Sequence, residues 1–230
     1  PGTADFYKLK LLRDRGINRL SIGAQSFNDA ELTGLGRIHD SEDIYRVYES
    51  AIKAGFSNIN LDLIFGLPGQ SPENWADSLK KAVKLRPRHI SAYNLQLEKG
   101  TPMHDRFSGS ADMPDNDTEY RMYKEAIEFL KSEGYIHYEV SNFCLPGFEC
   151  RHNVNYWENG EYIGIGVSAC SHTGGGRKTN TSDLKKYLED PVRSGKKEKR
   201  TRNNEISETM FMGLRMLRGI SERAFKDRFG

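Results

Sequence analysis

The chain has 230 residues, of which 37% are hydrophobic and 29% charged, and its formal net charge at pH 7 is only +2. This length is sufficient for one or two domains with their own cores, and so small a net charge gives no long-range field that would favour nucleic-acid binding. No stretch of about 18 apolar residues occurs, so we expect that the chain does not span a membrane. Three cysteines in a chain without secretory features favour a reducing, cytoplasmic compartment over a disulfide framework.

Strand and helix patterns alternate through the first half of the chain. The expected strands are 17–25, 58–65 and 89–97, and amphipathic helical patterns lie before, between and after them. Such alternation predicts parallel strand pairing through right-handed crossovers, and hence an α/β sheet or barrel. Because three strands cannot close a barrel and the pattern is already running at Pro1, we expect an incomplete barrel in a chain that is part of a longer protein.

The pattern changes after Gly134, where we expect a domain boundary. The segments expected beyond it are strands at 135–144 and 162–173, a glycine turn at 174–176, a short helix at 182–188, a solvated charged loop at 196–200 and an amphipathic helix at 205–217. The glycine turn precedes Arg177 and Lys178, which would also suit an anion site, but a flexible hairpin tip is the favoured interpretation. This half of the chain therefore predicts a smaller α+β region.

Polar residues interrupt all three expected strands of the first half. Alternation puts polar or small residues on one side of each strand, and these are Ser21, Gly23 and Gln25, then Asn60 and Asp62, then Asn94 and Gln96. A carboxylate such as Asp62 is costly to bury without partners, so this side needs either protein donors with water or a polar ligand. The carboxyl ends of parallel strands are where such folds bind ligands, and the spacing alone leaves both explanations open.

Residues 150–157 combine a thiol, an imidazole, an amide and two aromatic rings in a short segment. Cys150 and His152 are residue types that bind a metal or a haem iron, and Tyr156 and Trp157 would then pack against the macrocycle. The alternative is a half-buried hairpin corner in which His152 bonds to the backbone. No C-x2-C pair occurs in the chain, so we expect no zinc site.

Three segments together indicate a family. Residues 18–27, 35–39 and 60–70 closely resemble the motifs of radical S-adenosylmethionine (SAM) proteins related to oxygen-independent coproporphyrinogen III oxidase. Residues 152–157 also match the H-N-x-x-Y-W signature of the haem chaperones in this family, which the true oxidases do not carry. The resemblance therefore favours the haem-chaperone group.

The family implies a partial barrel of six strand–helix units, with a [4Fe-4S] cluster on a C-x3-C-x2-C loop and SAM bound to the unique iron. This sequence has no such loop, and the resemblance implies that the cluster cysteines lie upstream of Pro1. By motif, Gln25 and Asp62 would contact polar groups of SAM, and Arg37 its carboxylate. Gln96 stands where the family offers a backbone contact to the adenosine.

The resemblance also implies an organisation and a function. Residues 1–134 would be the C-terminal part of the barrel, 135–202 an α+β extension and 203–230 the start of a helical domain. The protein would bind haem at His152, between Tyr156 and Trp157, and hand it to acceptor proteins. The alternatives are a porphyrinogen oxidase, which decarboxylates propionates to vinyl groups, and a radical enzyme with an unrelated substrate.

Overall fold

The computed structural model describes residues 1–230, which form two compact units, Pro1–Glu149 and Cys150–Gly230. The helices are α1 (Phe6–Asp14), α2 (Asp29–Gly34), α3 (Ser41–Lys53), α4 (Pro72–Lys84), α5 (Pro102–Phe107), α6 (Asn116–Ser132), α7 (Arg151–Trp157), α8 (Leu184–Glu189), α9 (Arg202–Gly213) and α10 (Glu222–Phe229). The strands are β1 (Arg19–Gln25), β2 (Asn58–Phe65), β3 (His89–Asn94), β4 (Ile136–Glu139), β5 (Asn142–Cys144), β6 (Cys170–Thr173), β7 (Gly176–Asn180) and β8 (Gly195–Lys199).

The first unit contains an open five-stranded sheet in the order β1-β2-β3-β5-β4. Strands β1, β2 and β3 are parallel neighbours joined by helices, whereas β5 runs antiparallel to β3 and β4 antiparallel to β5. The α/β prediction is confirmed, and the sheet is not closed into a barrel. The expected strand 135–144 is instead a tight hairpin, because the chain turns at Val140 and Ser141.

Helices cover one side of this sheet because each carries an apolar stripe. In α3 the buried side chains are Ile44, Val47, Tyr48 and Ala51, at the spacing that lines one helical face. They pack in one core with sheet residues such as Leu61, which is fully buried. In α6 the buried stripe starts at Met122, and the side chain of Tyr120 is 66% exposed.

The boundary between the two units lies later than the change of pattern at Gly134. Strands β4 and β5 extend the sheet of the first unit, so residues 135–149 belong to it. The assignment of 135–202 to an α+β extension and 203–230 to the start of a helical domain stays a prediction.

The second unit is built on the antiparallel three-stranded sheet β6-β7-β8. Residues 196–200 do not form the expected loop, because most of them pair with β7 as strand β8. Of the expected strand 162–173, only β6 and an isolated bridge between Tyr162 and His172 have strand pairing. Residues 151–157 form helix α7 rather than a hairpin corner. No helix of either unit is long and apolar enough to cross a membrane.

Candidate functional site

The side of the first sheet opposite the helices carries aligned polar groups. The strand register places Ser21, Asn60 and His89 in one row, and Gly23, Asp62 and Ser91 in the next. We call this side the polar face. Its existence confirms the alternation expected for β1 and β2, because the intervening residues of these strands are buried in the apolar core.

Asn60 is the centre of a hydrogen-bond network on the polar face. Its Nδ2 donates to Ser21 Oγ at 2.6 Å and to Asp62 Oδ1 at 2.7 Å, and the Ser21 hydroxyl donates to Asp62 Oδ2 at 2.7 Å. Its Oδ1 accepts from the Ser91 hydroxyl at 3.2 Å and faces His89 Nδ1 at 2.6 Å. Each oxygen of Asp62 therefore already has one protein donor, which removes part of the cost of placing a carboxylate here.

The same contacts determine the tautomer of His89. A carboxylate only accepts hydrogen bonds, so the Asn60 amide nitrogen must face Asp62 and its oxygen must face His89. His89 therefore donates from Nδ1, and its Nε2 accepts from the Tyr138 hydroxyl at 2.8 Å. Burial, with a smaller contribution from the charge of Arg19, lowers the pKa of His89 from 6.5 to about 3, so the ring is neutral.

This pKa predicts a loss of stability in mild acid. Because the folded pKa of His89 lies below its unfolded value, the unfolded chain binds the proton first, and stability falls as the pH drops below about 6.5. The expected loss between pH 7 and pH 5 is about 2 kcal/mol. Urea unfolding of the wild type and of His89→Gln at both pH values measures it, since the other titrating groups are common to both proteins. Equal pH dependence of the two proteins would contradict the assignment.

Gln25 reaches the polar face through an unusual backbone conformation. Its φ is 66°, in the left-handed region, where the pairing of β1 with β2 shifts between Gly23 and Gln25. The side chain folds back over Gly23, so that a Cβ at that glycine would lie 2.6 Å from Gln25 Nε2. Since Gly23 pairs with Asp62, the structure brings the Gln25 amide and the Asp62 carboxylate to the same side of the sheet.

Arg37 lies in the loop between α2 and α3, which passes the carboxyl end of β1. Buried His39 fixes this loop, because its Nε2 lies 3.3 Å from the carbonyl oxygen of Ala24. Arg37 itself is exposed, and its guanidinium makes no hydrogen bond or ion pair within the chain. The sequence did not single out His39, although a histidine two residues after Arg37 could have indicated such an anchor.

Strand β3 places different residues on the polar face from those expected. Asn94 pairs with Phe65 and donates to Glu119 of α6 at 3.0 Å, so it lies on the helix side and not on the polar face. The prediction that Asn94 and Asp62 share a side was therefore wrong, and His89 and Ser91 take that place. Gln96 follows the end of β3, is exposed, and donates to Asn94 at 3.0 Å. Its backbone contact to an adenosine stays a prediction.

Helix α7 brings together two of the three residues expected to contact haem. His152 and Tyr156 lie one turn apart with ring centroids 4.7 Å apart, and His152 is exposed. Tyr156 in turn packs edge-on against Tyr162 at 4.5 Å. Cys150 is buried immediately before the helix. The imidazole is thus accessible and supported on one side by an aromatic ring.

The side chain of Trp157 does not lie with those of His152 and Tyr156. The guanidinium of Arg215 lies over its ring at 4.4 Å, and the indole lines a cavity of about 590 Å³ together with Met216 and Phe225. His152 and Tyr156 are not among the residues that line this cavity. A macrocycle flanked by Tyr156 and Trp157 together therefore remains a prediction that these contacts do not favour.

The residues of this chain do not fit an iron–sulfur cluster. Cys144 is fully buried in β5, and burial raises the pKa of its thiol to about 12, which opposes the thiolate that a cluster needs. No group of three or more His, Cys, Asp and Glu side chains is placed to hold a metal ion. These residues therefore do not provide the ligand set of an iron–sulfur cluster.

Comparison with known proteins identifies the fold. Residues 2–82 match the family model described as Radical SAM superfamily. The structure superposes on the protein described as coproporphyrinogen III oxidase (HemN) from Escherichia coli with a TM-score of 0.81 and 25% identity, covering 100% of this chain and 56% of that one. The family match therefore places the segment 2–82 in the radical SAM superfamily, and the whole chain shares the fold of the protein described as coproporphyrinogen III oxidase.

The chain is also similar to proteins described as heme chaperone HemW. It is 39% identical to that of Lactococcus lactis over 236 residues, covering 100% of this chain and 61% of the relative. The HemW of Bacillus subtilis is 36% identical over 97% of this chain and 60% of its own length. The chain thus spans about three fifths of these relatives, and the resemblance found in the sequence is confirmed.

Proposed function

We propose that the protein is a cytoplasmic radical SAM haem chaperone of the HemW type, which binds haem and passes it to acceptor proteins. The observation that carries this proposal is the exposed imidazole of His152 on α7, stacked edge-on with Tyr156. Neutral imidazole is a common axial ligand of haem iron, and an exposed ligand suits a protein that must release its cargo. The similarity to proteins described as heme chaperones supports the same conclusion.

The polar face fits S-adenosylmethionine. Gln25 offers an amide beside Asp62, and each Asp62 oxygen has a second lone pair left for a hydroxyl or amine of the ligand. Arg37 offers an unpaired guanidinium, the group best suited to a carboxylate. When bound, SAM supplies a sulfonium centre that can be cleaved reductively. The residues of this chain would orient it.

The proposal predicts that His152→Ala lowers haem affinity by at least about tenfold, because an axial ligand is lost. Soret titration of the purified protein under anaerobic conditions measures this affinity. His104→Ala is the matched control, since His104 lies on α5 in the other unit. Binding of S-adenosylhomocysteine should be unchanged in both variants. Parallel loss of haem binding and S-adenosylhomocysteine binding in His152→Ala would show that His152 is structural and not a ligand.

The runner-up function is a coproporphyrinogen III oxidase, which the fold likeness to HemN favours. The two functions differ in a direct assay. A chaperone gives a Soret shift with haem and leaves coproporphyrinogen III unchanged, whereas an oxidase converts coproporphyrinogen III and gives no such shift. Conversion of coproporphyrinogen III without a Soret shift would assign the oxidase function to the protein.

A further inference from the structure

Residues 163–167, here called the strap, are a segment outside the strands in which aliphatic residues alternate with glycines. Three polar side chains bind its backbone, and all of them hold the glycines. Gly164 N donates to Ser171 Oγ at 2.9 Å, and Asn180 Nδ2 donates to Gly166 O at 2.8 Å. The Tyr187 hydroxyl accepts from Gly166 N at 2.8 Å. The glycine positions of the strap therefore face the sheet.

The glycines allow this close approach, and they turn the aliphatic side chains outward. A Cβ at Gly164 would lie 2.2 Å from the carbonyl oxygen of Cys170, so no other residue fits there without a shift of β6. Ile163 is 77% exposed, Ile165 86% and Val167 40%. A contiguous row of exposed aliphatic groups on a well-bonded backbone is typical of an interaction site.

Lysines lie beside the strap on the same side of the sheet. The register of β6, β7 and β8 aligns Ser171, Lys178 and Lys197 in one row, and Lys199 stands two residues after Lys197. Since Ser171 binds the strap, these lysines share its side. Lys197 and Lys199 form no ion pair, and Lys178 donates only to the backbone carbonyls of residues 191 and 192.

The opposite side of this sheet is already occupied. His172 is buried there and accepts from Arg200 at 2.7 Å, and Arg200 also pairs with Glu208 of α9. Arg177 joins the same carboxylate at 2.6 Å. Arg177 and Arg200 are therefore paired with a carboxylate within the unit, whereas Lys178, Lys197 and Lys199 form no ion pair.

The strap and the lysines border one cavity of about 760 Å³, within the usual range for small-molecule sites. Its lining combines the aliphatic groups Ile163, Ile165 and Val192 with the cations Lys178, Lys197 and Lys199, and it also includes Arg177, Arg200 and one acidic residue, Glu198. We propose that this cavity binds a tetrapyrrole, with the macrocycle against the aliphatic groups and the propionates paired with the lysines. This inference rests on the proposed function and adds to it a second contact region, separate from His152.

Other occupants match the lining less well. Single-stranded nucleic acid would need aromatic platforms for its bases, but the one aromatic ring in the lining, Tyr187, has its hydroxyl bound to the strap. An anionic membrane also attracts lysines and exposed aliphatic side chains, but here these groups line a cavity large enough for a small molecule, and vesicle binding is one outcome of the test.

The test uses metal-free protoporphyrin IX, because its binding does not depend on an axial ligand. Fluorescence titration of the purified protein compares the free acid with its dimethyl ester. The double variant Lys197→Glu/Lys199→Glu should weaken binding of the free acid about tenfold and leave the ester unchanged. Ile165→Asp should weaken both. The controls are Lys185→Glu, another exposed lysine, and Ile38→Asp, whose side chain is 87% exposed in the other unit.

Wild-type affinity for the free acid in the lysine variant or in Ile165→Asp would overturn the proposal. So would Lys197-dependent binding to phosphatidylglycerol vesicles that protoporphyrin does not displace, which would assign the surface to membranes. The experiments distinguish an error in the cavity proposal from an error in the chaperone proposal. If His152→Ala alone weakens haem binding, then the chaperone assignment holds and the cavity is not its porphyrin site.

Discussion

Arg37→Ala should weaken binding of S-adenosylhomocysteine by roughly 30- to 1000-fold, which corresponds to about 2 to 4 kcal/mol. Arg37 is exposed and makes no hydrogen bond or ion pair in the chain, so its charge is available to a ligand carboxylate, and the loss has this size if the bound ligand desolvates the pair. Arg37→Lys keeps the charge but loses bidentate hydrogen bonding to the carboxylate, so we expect an intermediate loss of affinity. Isothermal titration of the protein measures the affinity, with S-adenosylhomocysteine chosen because it carries the carboxylate and is not cleaved.

A matched ligand and a matched variant isolate this interaction. 5′-Deoxyadenosine lacks the amino-acid carboxylate, so Arg37→Ala should not change its affinity. Arg15→Ala removes another exposed arginine, at the end of α1, and should leave both affinities at the wild-type value. If Arg37→Ala binds S-adenosylhomocysteine like the wild type, then the placement of the cofactor carboxylate at Arg37 is wrong.

Trp75→Ala should lower the free energy of unfolding by about 4 kcal/mol. Trp75 is fully buried in α4, packs against Phe65 with ring centroids 5.5 Å apart, and donates from Nε1 to the carbonyl oxygen of Met122 at 2.9 Å. It therefore joins β2, α4 and α6 directly behind the polar face. Trp75→Phe keeps most of the apolar contact and loses the hydrogen bond, so a smaller loss of about 1 to 2 kcal/mol is expected.

Urea denaturation provides the comparison. Tyr120→Ala removes an aromatic side chain that is 66% exposed on α6, and we expect it to change stability by less than about 0.5 kcal/mol. A loss in Trp75→Ala no larger than that in Tyr120→Ala would mean that the helix layer is held together by other contacts.

Much of the first unit could be predicted from the sequence because its signals are local. The expected strand at 58–65 is β2, and Ser71 followed by Pro72 is a local signal at which α4 begins. The error at Asn94 arose because alternation within one strand does not say which of its two sides faces the core. The register with β2 decides this, and register depends on the partner strand.

The second unit was harder to predict because its elements depend on contacts between distant residues. All of β8 is exposed and four of its five residues are charged, so nothing in its own composition favours a strand, and it forms because β7 offers an edge. Residues 163–167 lie within the expected strand 162–173. Their glycines, however, bind side chains from β6, β7 and α8 and do not pair with a neighbouring strand. The candidate residues at 152–157 were recognisable, but which way each ring points was not.

The hairpin of β4 and β5 has a consequence for how the first sheet can grow. Strand β5 pairs with β3 in the antiparallel sense and so occupies the free edge of the three parallel strands on that side. A further parallel strand–helix unit could therefore pair with β3 only if the hairpin were displaced. Any additional parallel strand, whether from the same polypeptide or another, must therefore join beside β1. Enlargement of the parallel array is thus possible only on the β1 side.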